Sequence, residues 1–452
     1  MNPSSIPVRP AAAAVLLALV LGGCASLPDA APGVGSAAAA PSPEPSGDGH
    51  GFVAGAVEMP EPQLRLVTLG STGLQAFDPA TGESLTIPGA MGDAVRTDDT
   101  APDDDGTLTS DGRHAFVTRA DGDVSVVDTG TWTVPHGDHS HYYLAEPRPV
   151  GRLDVGGDRG RPRAASSPAL TTLSFPGASE GAAGLGVALD TEALAAGRLE
   201  ERARIPLVPA GALLPLDGRL IGTVTPSDDA QSALVVYDAE GDPLSTGVDC
   251  AGAAGAALTR VGAVFGCADG AVLATTEAAT EGATEAATED GDAAGIAFER
   301  IPYPEGASAT DRATSFAARP GRPDLAAVAG DRGAWLLDTR ARSWTLLTSP
   351  APLLRATAVG DADGTVVGVD VEGRIVVLAA DGSVVRSEPV LAGELVGGEL
   401  PPAIVLEVDA DRAYVNTPST GAVLEIDYRD GARIARTLAM PGGSAALAEV
   451  GR

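Results

Sequence analysis

Short apolar runs alternate with polar turns along most of the chain. Each run has four to six residues rich in Val, Leu, Ile and Ala, which is too short for a helix. Turns such as Asp-Gly and Thr-Gly bracket the runs, as in β-hairpins. Seven clear copies of this theme occur, at Leu64–Ile87, His114–Trp132, Arg219–Leu244, Ala263–Thr276, Asp324–Leu347, Thr365–Val385 and Arg412–Leu438. An eighth and less regular copy lies at Phe175–Asp190.

This repeat predicts an all-β chain folded as a β-propeller. Three or four strands every 35 to 50 residues or so make one blade. We therefore predict a propeller over residues 63–452 with seven blades, and eight as the alternative. Residues 277–295 contain helix-forming residues but no apolar stripe, and their charge is of one sign. They are expected to be an acidic low-complexity insertion between strands.

The N-terminal segment predicts export and lipid anchoring. Arg9 precedes an apolar run, Ala11 to Leu21, that is too short to span a bilayer but suits a secretory signal. The run ends in Leu-Gly-Gly-Cys, which resembles a bacterial lipobox and implies cleavage after residue 23 and lipidation of Cys24. Residues 24–62 are rich in Ala, Pro, Ser and Gly and are expected to form a disordered tether. The protein is thus expected on the outer face of the cell membrane.

Charge and cysteine content narrow the function further. The chain has 452 residues with a formal charge of −31, which repels nucleic acid phosphates and argues against DNA or RNA binding. Cys250 and Cys267 are the two cysteines other than Cys24. In an exported protein, two thiols separated by a short loop favour a disulfide, whereas a metal site made of cysteines alone would lack ligands.

Metal-binding side chains cluster in one short segment. Three of the five histidines fall within six residues, in His136-Gly-Asp138-His139-Ser-His141. Imidazole nitrogens and a carboxylate suit tetrahedral zinc, although copper and nickel also accept imidazole. The alternative is a solvated polar loop with tyrosines packed beneath it. His114 begins a strand and is expected to be a strand residue rather than a ligand.

No catalytic machinery is predicted. A Gly-x-Ser-x-Gly match occurs at residues 177–181, but no histidine follows His141 to complete a hydrolase triad. Propellers also house quinoprotein and lyase enzymes, yet the fold alone indicates no chemistry, and the three tryptophans form no repeat. We therefore expect a protein that is not an enzyme.

With these segments in view, the sequence resembles the AztD family of periplasmic zinc metallochaperones. The resemblance lies in DTGTWTVPHGDHSHYY (Asp128–Tyr143) and in the paired-cysteine segment Gly247–Leu273, and it extends weakly from Leu64 to the C-terminus. It implies a propeller that delivers zinc to the binding protein of an ABC transporter. The resemblance places the family's His-His-Gly and Leu-His-Gly contexts at residues 209–211 and 253–255 and a further histidine near Ala164, and this chain has no histidine at these positions. The implied ligands are therefore limited to His136, Asp138, His139 and His141.

Two functions are consistent with these observations. The first is a monomeric, membrane-anchored lipoprotein that binds zinc at the histidine cluster and passes it to the solute-binding protein of a zinc ABC transporter. The second is a propeller that has lost the zinc site and retains a surface for a protein partner.

Overall fold

The computed structural model describes residues 51, 53–89, 106–119, 121–136, 139–157, 159–179, 181–226, 231–276 and 295–452. Within these ranges the chain is almost entirely β-strand, with one α-helix, α1 (Thr191–Ala195). Three short 3-10 helices occur at Ala309–Asp311, Gly330–Arg332 and Ala392–Glu394. In the same ranges no helix is long and apolar enough to cross a membrane. The predicted signal peptide, Cys24, Asp138 and residues 277–294 lie outside the described residues.

Eight antiparallel sheets of similar construction follow one another along the chain. Sheet 1 has the order β34 (Ala446–Val450), β2 (Arg65–Gly70), β3 (Gly73–Phe77), β4 (Ser84–Thr86). Sheet 2 has the order β10 (Arg148–Asp154), β7 (Asp123–Asp128), β6 (His114–Thr118), β5 (Thr107–Ser110). Sheet 3 contains β11 (Arg163–Ser166), β12 (Leu170–Phe175), β13 (Gly184–Asp190) and β14 (Glu201–Leu207). Sheet 4 contains β15 (Leu213–Leu216), β16 (Arg219–Val224), β17 (Ala233–Tyr237) and β18 (Val248–Asp249).

The second half of the chain continues the series. Sheet 5 contains β19 (Ala256–Leu258), β20 (Ala263–Cys267), β21 (Gly270–Thr276) and β22 (Ile296–Pro302). Sheet 6 contains β23 (Asp324–Val328), β24 (Gly333–Asp338) and β25 (Ser343–Thr348). Sheet 7 contains β26 (Leu353–Ala358), β27 (Val366–Asp370), β28 (Ile375–Leu378) and β29 (Val384–Arg386). Sheet 8 contains β30 (Leu406–Val408), β31 (Ala413–Thr417), β32 (Ala422–Asp427) and β33 (Arg433–Ala439).

Apolar side chains fill the spaces between successive sheets and close the eight sheets into a ring. Val67 of sheet 1 packs with Leu108 of sheet 2, for example, and comparable buried clusters join each later sheet to the next. A final cluster brings Leu66 of sheet 1 against Val423 of sheet 8. Because β34 pairs with β2, the first and last strands of the ring share one sheet. A sheet that is covered on both faces buries long apolar runs, which explains the sequence pattern.

The predicted all-β propeller is confirmed, and the number of sheets bears on the choice between seven and eight blades. The irregular copy Phe175–Asp190 contributes to the complete four-stranded sheet 3, which favours the alternative of eight. Its β13 and β14 are joined through α1 rather than through a Gly/Asp turn. Asp190 caps α1, since its carboxylate accepts a hydrogen bond of 2.7 Å from the Ala193 N–H. The described residues thus contain eight sheets of this kind.

Two further features lie beside the ring of sheets. A three-stranded side sheet has the order β1 (Val57–Met59), β9 (His139–Leu144), β8 (Thr131–His136). Its first strand falls where the sequence predicted a disordered tether, so the ordered part begins before residue 63. The predicted disulfide is present between Cys250 and Cys267, and both residues are buried. A metal site made of these two cysteines is thereby excluded.

Candidate metal site on the β8–β9 hairpin

The predicted metal-binding segment forms a β-hairpin that leaves sheet 2 between β7 and β10. Its register pairs Trp132 with Tyr143, Val134 with His141 and His136 with His139. The three histidines proposed as ligands therefore belong to the two strands of a β-hairpin rather than to an irregular loop.

An aromatic pair anchors the base of the hairpin. The rings of Trp132 and Tyr143 stack with centroids 5.3 Å apart, and both side chains are buried. The Trp132 Nε1–H donates to the Gly51 carbonyl at 3.2 Å, and the Arg113 guanidinium lies 3.7 Å from the Trp132 ring centroid. Arg113 in turn forms an ion pair with Asp128 at 2.8 Å. Burial raises the pKa of the Asp128 carboxyl, but the hydrogen bonds and charge of Arg113, with smaller contributions from His114 and the Gly130 N–H, together outweigh burial and lower it.

Hydrogen bonds to residues near both ends of the propeller fix the base of the hairpin. Thr131 Oγ1 donates to the Gln63 carbonyl at 2.7 Å, and Thr133 Oγ1 donates to the Gly451 carbonyl at 3.3 Å. Gly451 has φ of +84°, and a Cβ at this position would clash with the Gln63 carbonyl oxygen and with Thr131. The close approach therefore requires glycine at 451.

The imidazole rings of His139 and His141 lie side by side at the start of β9, next to the turn of the hairpin. Residues two apart along a strand share a face, and the two imidazole rings have centroids 4.9 Å apart at an interplanar angle of 65°. His141 continues the aromatic column at the base, since its ring lies parallel to that of Tyr143 at 6.4 Å. His139 is exposed, whereas 12% of the His141 side chain is exposed. The pair thus combines a fixed imidazole with an accessible one.

Glu58 joins this pair, although the sequence analysis assigned it no role. Strand β1 pairs with β9 so that Glu58 lies opposite Tyr143, and Glu58 Oε1 contacts His141 Nδ1 at 2.7 Å. A carboxylate at Nδ1 favours the tautomer with its proton on Nδ1, which directs the Nε2 lone pair to a metal. The contact joins residues 83 positions apart in the chain, so only the pairing of β1 with β9 reveals it.

The other predicted ligands are not all placed with this pair. The register sets the backbone of His136 opposite that of His139, while Asp138 is outside the described residues. Among the side chains that the structure describes, no group of three or more His, Cys, Asp or Glu is arranged to hold a metal ion. The described part of the site is therefore two histidines with one orienting carboxylate.

His114 is a separate, structural residue, as the sequence predicted. It begins β6, is buried, and places Nδ1 at 3.1 Å from Asp111 Oδ2. The Asp111 carboxylate also accepts the His114 backbone N–H at 2.6 Å. Burial would raise the pKa of the Asp111 carboxyl, but the interactions with His114 outweigh burial and lower it. This pair fixes the turn before β6.

Residues without metal-binding side chains occupy the other places where the family resemblance would put histidines, namely Pro209, Ala210, Ala254 and the neighbourhood of Ala164. Ala164 lines the central cavity of the ring, and so do Ala212 and Ala256, which follow the two glycine-containing segments. Gly211 and Gly255 approach neighbouring backbone so closely that a Cβ would lie within 3.0 Å of it. The cavity wall is therefore built from small residues at Ala164 and next to the other positions of the resemblance.

Comparison with solved structures supports the fold. AztD from Citrobacter koseri matches with a TM-score of 0.63 and 15% identity, covering 86% of this chain and 97% of that chain. The apo form of AztD from Citrobacter koseri matches with a TM-score of 0.61 and 15% identity over the same shares. BamB from Moraxella catarrhalis gives a TM-score of 0.43 at 11% identity, with 80% and 93% coverage. No family model and no curated protein matches the sequence.

The fold is AztD-like. At 15% identity the similarity concerns the arrangement of the strands and does not extend to ligands or partners.

Proposed function

We propose that this protein is an exported, lipid-anchored propeller that binds zinc at the β8–β9 hairpin and passes it to the zinc-binding protein of an ABC transporter. His136, Asp138, His139 and His141 are the proposed ligands, and Glu58 orients His141. The observation that carries the proposal is the convergence of His139, His141 and Glu58 at one end of the side sheet.

The spacing of the two imidazoles supports zinc as the cargo. Two imidazoles on one tetrahedral zinc, with Zn–N bonds of about 2.0–2.1 Å, have ring centroids roughly 5 Å apart. The His139 and His141 centroids are 4.9 Å apart. The carboxylate–histidine contact of Glu58 is the outer-shell arrangement that commonly accompanies a metal-bound histidine. Together these features favour zinc binding over a merely solvated loop.

The position of the site favours transfer over storage. His139 is exposed at the end of a hairpin whose base is fixed by buried Trp132 and Tyr143. A partner protein could therefore reach the ion without unfolding the propeller. A site with few protein ligands, completed by water, exchanges its metal more readily than a closed four-ligand site.

Zinc titration of the metal-free protein by calorimetry tests this proposal. Wild type is expected to bind one zinc ion per chain, and the His139→Ala/His141→Ala variant is expected to lose this binding. His50→Ala removes a histidine outside the hairpin and serves as the matched control. Equal binding by wild type and the double variant would refute the proposal.

A second candidate function is a protein-binding propeller without a metal. It is favoured by Pro209, Ala210 and Ala254, which stand where the family resemblance would put histidines, and by the lack of a three-ligand group among the described side chains. A partner captured equally well with and without a chelator would favour this function, whereas zinc-dependent capture would favour the first.

A further inference from the structure

Basic side chains outnumber acidic ones around the central cavity of the ring, although the protein as a whole is acidic. The whole chain has 30 basic and 61 acidic residues. The cavity of about 1020 Å³ is lined instead by six arginines and three carboxylates. The arginines are Arg113, Arg161, Arg163, Arg319, Arg355 and Arg452, and the carboxylates are Asp111, Glu407 and Glu449. Six arginines against three carboxylates give the cavity an excess of positive formal charge in an acidic protein, which requires a physical explanation.

The three carboxylates of the cavity already have partners. Asp111 holds His114, and Glu407 pairs with Arg452 at 3.1 Å. Glu449 also contacts Arg452, and burial raises the pKa of the Glu449 carboxyl to about 8. Glu449 is therefore mainly neutral at pH 7 and offers little charge to any other arginine.

Two of the arginines are held side by side by one backbone segment. Arg161 donates Nη1 to the Pro402 carbonyl at 3.0 Å and Nη2 to the Leu108 carbonyl at 2.8 Å. Arg355 donates Nη2 to the carbonyls of Leu400 and Pro401 at 3.0 and 3.1 Å. Since Pro401 and Pro402 are adjacent, the two guanidinium groups lie close together and point into the same region. Neutral carbonyls orient them, and within the described structure neither guanidinium forms an ion pair with a carboxylate.

Arg163 adds a third charge to this region. Its side chain lines the cavity, where it meets solvent although protein atoms surround it, and it forms no hydrogen bond or ion pair within the described structure. Burial lowers the pKa of both Arg161 and Arg163, and the nearby Arg355 and Arg163 lower that of Arg161 further. Glu407 acts on Arg161 in the opposite direction but already pairs with Arg452. The protein thus holds three guanidinium groups together at an electrostatic cost that a bound anion would relieve.

We propose that the central cavity binds a small multivalent oxyanion, of the phosphate or polycarboxylate class, between Arg161, Arg163 and Arg355. Guanidinium groups present planar pairs of N–H donors that match the oxygens of phosphate and carboxylate. Arg161 and Arg355 are pre-oriented by the 400–402 carbonyls, and Arg163 closes on the anion from β11. The anion replaces the missing carboxylate partners of all three side chains.

Calorimetry of the full protein at low ionic strength tests the site. The protein is first passed over a chelating resin so that the result is independent of zinc. Inorganic phosphate and citrate are the two probes, and sodium chloride at matched ionic strength is the reference. One saturable binding event per chain is expected with phosphate or with citrate and none with chloride. The probe that binds more tightly identifies the oxyanion class.

Substitution then locates the bound anion. Arg163→Gln removes a charge without removing a hydrogen bond within the protein, so the fold is retained and binding weakens about ten-fold. Arg198→Gln makes the same change of charge at an exposed surface position and leaves binding unchanged. Arg319→Gln, at another arginine of the cavity wall, provides an independent variant, for which a smaller loss is expected. Failure of both probes to saturate, or equal losses in Arg163→Gln and Arg198→Gln, would overturn the proposal.

Discussion

Removing the charge of Glu58 should weaken zinc binding even though Glu58 itself need not touch the ion. The Glu58→Gln variant keeps the size of the side chain and an oxygen that accepts from His141 Nδ1, but it loses the negative charge. In the structure Glu58 Oε1 lies 2.7 Å from His141 Nδ1, and 55% of the Glu58 side chain is exposed. Loss of an outer-shell partner costs about 10- to 100-fold in metal affinity, and solvent screening of an exposed carboxylate points to the lower end. We expect a loss of about ten-fold, or about 1.4 kcal/mol.

Competition with a chromogenic zinc chelator measures this change directly, because it reports affinity rather than stoichiometry. Glu61→Gln is the matched control, since it makes the same change of charge three residues further along an exposed part of the chain. Thermal unfolding without metal should be nearly the same for both variants. An affinity unchanged in Glu58→Gln, or lowered equally in Glu61→Gln, would show that Glu58 does not act through His141.

Two further predictions concern stability. Burial raises the pKa of the Glu449 carboxyl to about 8, above its ordinary value of 4.5, so its contribution to stability is complete below pH 4.5 and is lost as the pH rises through 8. Glu449→Gln imitates the neutral acid, so the stability of the variant relative to wild type should increase from pH 5 to pH 9 by on the order of a few kcal/mol. Thermal melts at the two pH values measure this difference, and an equal difference at both would contradict the prediction. Replacing both cysteines of the disulfide, Cys250→Ala with Cys267→Ala, opens a loop with a separation of 17 residues and should cost about 3 kcal/mol in urea unfolding. Reduction of wild type should reproduce that loss, and an unchanged midpoint would show that the bond does not constrain the unfolded chain.

The propeller could be predicted from the sequence because the central strands of its sheets are buried along their whole lengths. Strands β20 and β28 have no exposed residue and consist of short continuous apolar runs between turns. Sheet 3 was harder to recognise, since the helix α1 replaces the expected turn between β13 and β14. A local pattern cannot show that such a connection still returns the chain to the same sheet.

Only the part of the candidate site made of residues close together in the sequence could be predicted. His139 and His141 lie two residues apart, so their proximity follows from strand geometry. Glu58 reaches them through the pairing of β1 with β9, which brings together residues far apart in the chain. The sequence around Glu58 belongs to a segment rich in Ala and Pro, which predicts a tether rather than a strand. The arginines of the cavity were missed for the same reason, because the ring closure that gathers them is not encoded by any one repeat.

The charge of the cavity bears on where a metal ion can reside. A divalent cation about 8 Å from a single guanidinium is repelled by roughly 4 kcal/mol at an effective dielectric constant of about 20. Arg161, Arg163 and Arg355 together would therefore disfavour zinc in the cavity, where Ala164 offers no ligand to offset the repulsion. The base of the hairpin, at Trp132 and Thr133, forms part of the cavity wall, whereas His139 is exposed farther along it. Electrostatics and ligand supply thus both favour the proposed placement of a cation at the hairpin and of an anion in the cavity.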